Sequence, residues 1–351
     1  MHKKFLISAL EQAQLGRGYC APNPSVGAVA VRDGDIIAQA WHRGAGTAHA
    51  EQLLLAQLPK DCSEISVYVT LEPCNHWGRT PPCSDAIIER CVQRVVYAYA
   101  DPNPLVARRD TTALLKAHQI DVVHYPLPEI DQFYASYRRW VDSTQPTVTA
   151  KMAQTLDGKI AACGGQQVII SNQYCHDFTH KMRCQSDVIL TTAATVNQDN
   201  PLLNVRLGNE PIAKPVAIID RRGLLREDAN IFTTAKHCHI FYDERYPPNK
   251  IPANTTYYPV FVENGIMDLK SVISQLGQIG FHDVWVEAGA QLFSALHQQQ
   301  LVHKTYVYLA PKLLGERALS GYVSPELFDK PHQLAWYPMG DNMMAVFDWQ
   351  A

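Results

Sequence analysis

Two rhythms of apolar residues alternate along this chain, one repeating every three to four positions and the other running as short unbroken stretches. The first is the period of a helix with one buried face, the second that of a strand covered on both sides. Up to residue 145 the order reads helix, two strands, three repeats of helix and strand, and a last helix. The predicted strands span 26–31, 36–41, 67–71, 95–99 and 121–124. Asp33-Gly34 between the first two is hairpin-turn chemistry. The last helix gives out around Ser143-Thr144-Gln145-Pro146, which places a domain boundary between 1–145 and 146–351. Beyond it the alternation resumes, with strands expected at 147–153, 188–192, 216–220, 239–242, 284–287 and 306–310, and helices at 174–184, 268–278 and 291–299. Both halves are therefore expected to be α/β, each a mainly parallel or mixed sheet covered by helices.

Composition narrows the function class. Over 351 residues, 31 basic and 34 acidic side chains leave a formal charge of −3 with no long block of either sign. A polynucleotide binder needs a basic face to neutralise phosphates, so a small substrate is expected and no nucleic acid. No stretch approaches the roughly 20 apolar residues of a membrane span, and Met1-His2-Lys3-Lys4 opens an amphipathic helix pattern instead of a signal sequence. That reading places the protein in the cytoplasm, away from membranes. Nine cysteines, an odd number, suit a reducing compartment better than a disulfide framework.

Two of those cysteines belong to the most informative pattern in the chain. His49-Ala50-Glu51, Pro73-Cys74 and Pro82-Cys83 supply one imidazole, one carboxylate and two thiols. An imidazole and two thiolates are three of the four ligands of tetrahedral Zn²⁺, and the fourth position is left for water, whose pKa the metal lowers to about 7. Glu51 is the proton carrier. This order is the H-x-E…P-C signature of nucleoside and nucleobase deaminases, with the usual C-x-x-C opened out between Cys74 and Cys83. Gly46-Thr47 reads as the start of a helix, putting His49 and Glu51 in its first turn. Cys83 opens a second helix, whose N-terminus is expected to favour thiolate over thiol.

Other motifs weigh less. Gly16-Arg17-Gly18-Tyr19-Cys20-Ala21 fits GxGxxA formally but follows a helix instead of a strand, so it is rejected as a dinucleotide site. Gly289 stands between an apolar strand and a helix, where backbone amides can receive phosphates, although a plain strand-to-helix turn explains it equally well.

Longer stretches carry a family resemblance. The segment from Leu71 to Cys83, which includes His76-Trp77-Gly78-Arg79-Thr80-Pro81-Pro82, is similar to the zinc motif of the bifunctional riboflavin-biosynthesis deaminase/reductase family. So are Pro22-Asn23-Pro24-Ser25-Val26-Gly27 and Asp101-Pro102-Asn103-Pro104. In the second half, Leu156-Asp157-Gly158-Lys159, Asn200-Pro201-Leu202-Leu203-Asn204-Val205-Arg206, Trp285-Val286-Glu287-Ala288-Gly289 and Ala310-Pro311-Lys312-Leu313-Leu314-Gly315 resemble the family's reductase.

The resemblance implies a cytidine-deaminase-like three-layer domain followed by a dihydrofolate-reductase-like α/β domain. It implies Zn²⁺ and NADPH as cofactors, phosphorylated pyrimidines as substrates, and a homo-oligomer. The first domain would remove the 2-amino group of 2,5-diamino-6-ribosylamino-4(3H)-pyrimidinone 5′-phosphate, with Glu51 as base and then acid; the second would reduce the ribosyl group to ribityl.

Carried over position by position, the deaminase substrate contacts are Asn23, His42, His76 and Arg79. A turn between two prolines would also account for Asn23, and solvent exposure for Arg79. The reductase substrate contacts are Arg183, Leu203, Arg206 and Glu287, with the two arginines suited to hold a phosphate. The cofactor contacts are Lys151, Ala153, Thr195, Asp199 and Gly289.

The chain departs from the family's usual pattern in places. Val168 stands where an aromatic residue is usual, Asn200 where an aspartate is, and Arg221 where a serine is. Two other readings stay open: a nucleic-acid deaminase, and a second half that only binds or oligomerises.

Overall fold

A computed structural model describes residues 1–59, 64–78, 80–107, 110–248, 250–323 and 325–349. The chain divides into two compact units, Met1–Thr144 and Gln145–Ala351.

The first unit runs α1 (His2–Gly16), β1 (Gly27–Arg32), β2 (Asp35–Trp41), α2 (Ala50–Ala56), β3 (Ser66–Leu71), α3 (Cys83–Glu89), β4 (Arg94–Tyr99), α4 (Pro104–Ala107), α5 (Thr111–Ala117), β5 (Asp121–His124) and α6 (Pro128–Ser143). Its five-stranded sheet has the order β2-β1-β3-β4-β5. β1 is antiparallel to both β2 and β3, whereas β3, β4 and β5 run parallel. Asp33 and Gly34 turn the β1–β2 hairpin with φ of 55° and 86°, the left-handed pair that a two-residue turn requires. α1 buries Phe5, Leu6, Ala9, Leu10 and Ala13, one face at helical spacing. It lies so close to the sheet that a Cβ on Gly27 would stand 2.1 Å from the Ala9 carbonyl oxygen, so only glycine fits there. β1 and β3 are almost wholly buried, hence their unbroken apolar runs.

The second unit contains β6 (Thr147–Thr155), β7 (Lys159–Ala161), α7 (Gln173–Gln185), β8 (Val188–Thr192), α8 (Ala193–Asp199), β9 (Pro215–Ile219), α9 (Ile231–Thr234), β10 (His237–Asp243), β11 (Thr255–Val260), β12 (Val262–Glu263) and β13 (Ile266–Met267). There follow α10 (Leu269–Ile279), β14 (Asp283–Glu287), α11 (Ala290–Gln298), β15 (Lys304–Ala310), β16 (Leu319–Ser320), β17 (Gln333–Met339) and β18 (Asn342–Asp348). Nine strands form the main sheet in the order β11-β10-β9-β8-β14-β6-β15-β18-β17. All neighbours from β11 to β15 are parallel, and β18 and β17 close the sheet as an antiparallel hairpin. Alternate residues of β14 serve the two faces. Val284 and Val286 join the core under α10 and α11, while Trp285 joins the one built with Val196 and Ile231. β11, β17 and β18 were not among the strands expected from sequence. Residues 333–338 of β17 are all exposed, so no buried period marks it.

Candidate active sites

The first site is built where two helices begin. His49 caps α2; its N–H donates to Gln52 Oε1 at 3.2 Å, and Gln52 Nε2 donates to the Pro81 carbonyl at 2.9 Å, tying this helix start to the loop that delivers Cys83. His49 Nδ1 lies 3.2 Å from Cys83 Sγ and 3.5 Å from Cys74 Sγ. Tetrahedral zinc at ordinary bond lengths sets nitrogen and sulfur about 3.5 Å apart. All three donor atoms lie within 4.8 Å of one another, so the residues fit zinc. Thr80 Oγ1, 3.3 Å from His49 Nε2, is placed to accept its proton and leave Nδ1 free as a ligand.

The two sulfurs meet different surroundings. The first amide of α3, on Cys83, donates to Cys74 Sγ at 3.3 Å, so the helix start favours thiolate on Cys74. The Cys83 thiol, and after it His49, hold Cys74 down to about 4 despite its burial. The hydrogen bond to Cys74, together with burial, pushes Cys83 the other way. Glu51 is 3% exposed, and burial followed by the Cys74 charge pushes its carboxyl up to about 7. A carboxyl in that range can take up and give back a proton near neutrality.

His49, Glu51 and Cys74 share a cavity of about 280 Å³ with Asn23, His42 and His76. Burial lowers the His42 pKa and keeps the ring neutral. One tautomer uses both of its contacts: Nδ1 donates to the Ala48 carbonyl at 3.2 Å, and Nε2 accepts from Asn23 Nδ2 at 3.3 Å. Arg79 lies outside the described residues.

The second site lies at the carboxyl ends of the parallel strands, where open α/β sheets bind ligands. Its cavity of about 690 Å³ is lined by Lys151, Ala153, Arg183, Thr195, Asp199, Leu203, Glu287 and Gly289, all expected from sequence, and by Val168. Arg206 is not in the lining; its Nη1 donates to Asn204 Oδ1 at 2.7 Å beside it.

Glu287 organises this site. Arg183 donates to it twice, at 2.5 and 3.0 Å, Trp285 Nε1 donates at 2.9 Å, and Lys151 Nζ stands 3.5 Å away. Burial opposes its charge, but Arg183 and Lys151 outweigh burial and hold the carboxyl well below the usual range. Two faces of the Arg183 fork are therefore taken by Glu287, and Nη1 donates to the Asn204 carbonyl at 2.9 Å. Leu203 is buried at φ 45°, a left-handed backbone that costs a leucine of order 1 kcal/mol. Gly289 caps α11, and a Cβ there would meet nothing within 4 Å, which leaves room at the helix start for a cofactor phosphate.

Comparison with known proteins gives both units a family. Residues 146–343 match the RibD C-terminal domain, and residues 1–99 match the cytidine and deoxycytidylate deaminase zinc-binding region. The riboflavin biosynthesis protein RibD of Escherichia coli is 35% identical over 327 residues, which cover 90% of this chain and 89% of that protein. The chain belongs to the RibD family. It is a bifunctional enzyme of riboflavin biosynthesis, with a zinc-binding deaminase domain and an NADPH-dependent reductase domain.

Solved RibD structures share the whole fold. Acinetobacter baumannii RibD superposes with a TM-score of 0.86 at 30% identity, covering 99% of this chain and 98% of that one. A diaminohydroxyphosphoribosylaminopyrimidine deaminase/5-amino-6-(5-phosphoribosylamino)uracil reductase from Thermotoga maritima gives 0.85 at 28% identity with the same coverage.

Several groups in this RibD-family site went unassigned in the sequence. Asp101, Asn103 and Tyr137 line the deaminase cavity. Asp101 Oδ1 accepts from Asn103 N–H at 2.9 Å and from Tyr137 O–H at 3.2 Å. Asp101-Pro-Asn-Pro directly after a strand was the available signal; Tyr137, on a helix far along the chain, reads as core.

A zinc-ligand test follows from the donor geometry. Cys74→Ser is expected to weaken zinc binding by about tenfold or more while the fold survives, since a hydroxyl replaces the thiolate. Metal content after dialysis against a chelator measures it; full retention would remove Cys74 from the ligand set.

Proposed function

We propose that the first unit deaminates 2,5-diamino-6-ribosylamino-4(3H)-pyrimidinone 5′-phosphate and that the second reduces the ribosyl group of the product to ribityl. The observation that carries this reading is the pairing of a His49–Cys74–Cys83 donor set around buried Glu51 with a separate cavity organised by Glu287.

Zinc held by His49, Cys74 and Cys83 supplies Lewis-acid chemistry that makes water a nucleophile near neutral pH. Glu51 takes one proton from the attacking water and passes it to the ring nitrogen, then takes the second from the added hydroxyl as the carbonyl forms and passes it to the departing amine. Asn23 gives one N–H to His42, which leaves its carbonyl oxygen and second N–H to pair with the heterocycle edge. His76 and Arg79 are assigned to the substrate's polar oxygens.

In the reductase, NADPH supplies the hydride. Lys151, Ala153, Thr195, Asp199 and Gly289 are assigned to the cofactor, and Leu203, Arg206, Glu287 and Arg183 to the substrate side. With two of its donors on Glu287, Arg183 acts chiefly by holding that carboxylate and Asn204 in place.

The surroundings of the enzyme are part of the same reading. The charge balance supports small phosphorylated pyrimidines as partners and no nucleic acid. Among the described residues no helix is long and apolar enough to cross a membrane, and none of the eight cysteines is in a disulfide. We assign the protein to the cytoplasm, away from membranes, and read it as a homo-oligomer.

Because each set of residues sits within its own compact unit, the two reactions are expected to separate. Cys74→Ser should still oxidise NADPH at near-parental rate when given the deaminated intermediate, while releasing little ammonia from the diamino substrate. If NADPH oxidation fell with ammonia release, the two sites would not be independent; if the parent never oxidised NADPH, the second unit would be a binding domain.

A further inference from the structure

An anionic substrate is drawn to positive charge that the protein has not already neutralised, so the bookkeeping of cations in the reductase cavity matters. Lys151 and Arg183 both stand on the carboxylate of Glu287. Arg183 gives Nε and Nη2 to that carboxylate and Nη1 to the Asn204 carbonyl, so no two of its nitrogens remain to clasp a phosphate bidentately. A phosphorylated substrate entering here needs its anion held by other donors.

Such donors come from α7 and the segment beside it. His176, His180 and Arg183 follow one another at i, i+4 and i+7 and so share one face of that helix. His180 is buried; burial, and after it the Arg183 charge, lowers its pKa to about 4 and keeps the ring neutral. Its Nδ1 accepts from the Arg206 N–H at 3.1 Å, which anchors Arg206 one helical turn from His176. Arg206 gives Nη1 to Asn204 Oδ1 at 2.7 Å, and among the described residues its other side-chain nitrogens make no hydrogen bond.

His176 went unassigned in the sequence. It lines the cavity with Ser171, Arg183 and Leu203, and among the described residues its ring makes no hydrogen bond or ion pair. Whichever tautomer it adopts, an imidazole carries an N–H that can donate to a phosphate oxygen. Adjacent turns of a helix are about 5.4 Å apart, so the ring and the Arg206 side chain can close on one anion from two sides. The cofactor contacts Thr195 and Gly289 belong to α8 and to the start of α11, other elements of the same wall.

We propose that His176, together with Arg206, holds the 5′-phosphate of the reductase substrate at the α7 end of the cavity, while Arg183 serves Glu287. The proposal rests on the phosphorylated-pyrimidine reading above and names the side chains that recognise the phosphate. The two groups complement each other: the guanidinium supplies a fixed charge and a planar set of donors, and the imidazole adds one more donor from α7. His176 is a binding residue with no part in the hydride step, so its removal costs affinity and spares the turnover of bound substrate.

Steady-state reduction by the full chain, given the deaminated intermediate or its dephosphorylated counterpart, tests the assignment. The parent is expected to show a KM about tenfold or more lower for the phosphorylated form. His176→Ala should raise that KM about tenfold with kcat within about twofold, the loss of one hydrogen bond to a charged group, and leave the KM of the dephosphorylated form unchanged. His176→Gln keeps an N–H donor and should recover most of the loss, whereas His176→Glu should raise KM further by repelling the anion. NADPH affinity, from fluorescence titration, should equal the parent's in all three; a loss there would move His176 to the cofactor and overturn the proposal. Equal KM for the two forms in the parent would overturn the phosphate subsite, and a parent that reduces neither would overturn the substrate reading with it. Parental KM in both His176→Ala and His176→Glu would remove His176 alone and leave that reading intact. His176 is exposed, so each variant should keep the parent's circular dichroism; should one fold poorly, the other two carry the test.

Discussion

Glu51→Gln is expected to keep its zinc and release ammonia about 10³-fold more slowly than the parent. The amide preserves the size of a side chain that is 3% exposed, so the cavity stays packed. What it loses is the exchangeable proton: a carboxyl that burial and Cys74 push up to about 7 is replaced by a group that does not titrate. His49, Cys74 and Cys83 are untouched, so metal content should equal that of the parent. Ammonia release and metal analysis on the same preparation decide the matter. Turnover within a few-fold of the parent would require another proton carrier, and loss of zinc would mean that Glu51 supports the ligands instead of the chemistry.

Glu287→Gln is expected to destabilise the second unit by about 3–5 kcal/mol and abolish NADPH-dependent reduction, with the deaminase intact. The glutamine can still accept from Trp285 and Arg183, but it leaves Arg183 and Lys151 without the charge that balances them. Arg183 is itself mostly buried, so water cannot make up the difference. Denaturant unfolding followed by circular dichroism measures the loss. Combining Glu287→Gln with Arg183→Met should restore part of the stability, because the unpaired charge goes as well; strict additivity would show that the pair is not coupled.

The pH sign follows from the same contacts. The Glu287 carboxyl is held below its ordinary 4.5, so its contribution is full above that value and is lost as pH falls through the folded-state value. The parent's second unit should therefore weaken in acid by more than the variant's does.

Sequence alone pointed to the two-unit α/β plan, the candidate metal-binding set of His49, Cys74 and Cys83, and Glu51 beside it, because those rest on local spacing. His49 and Glu51 are two positions apart at one helix start, and Cys74 and Cys83 flank a single loop. The central strands β1, β3, β8, β9 and β14 were equally legible, since burial on both faces leaves unbroken apolar runs. Tertiary structure alone aimed the Cys83 amide at the Cys74 sulfur, so that the start of one helix serves both cysteines. It alone set the Arg183 fork on Glu287, a pair that lies 104 positions apart in the chain. It also revealed β17, whose exposed residues carry no buried period and whose pairing with β18 is visible only once the chain has returned to the sheet. Hydrophobic period records what a residue's own segment buries; the partner that satisfies a charge or a backbone edge comes from distant parts of the chain and leaves no period to read.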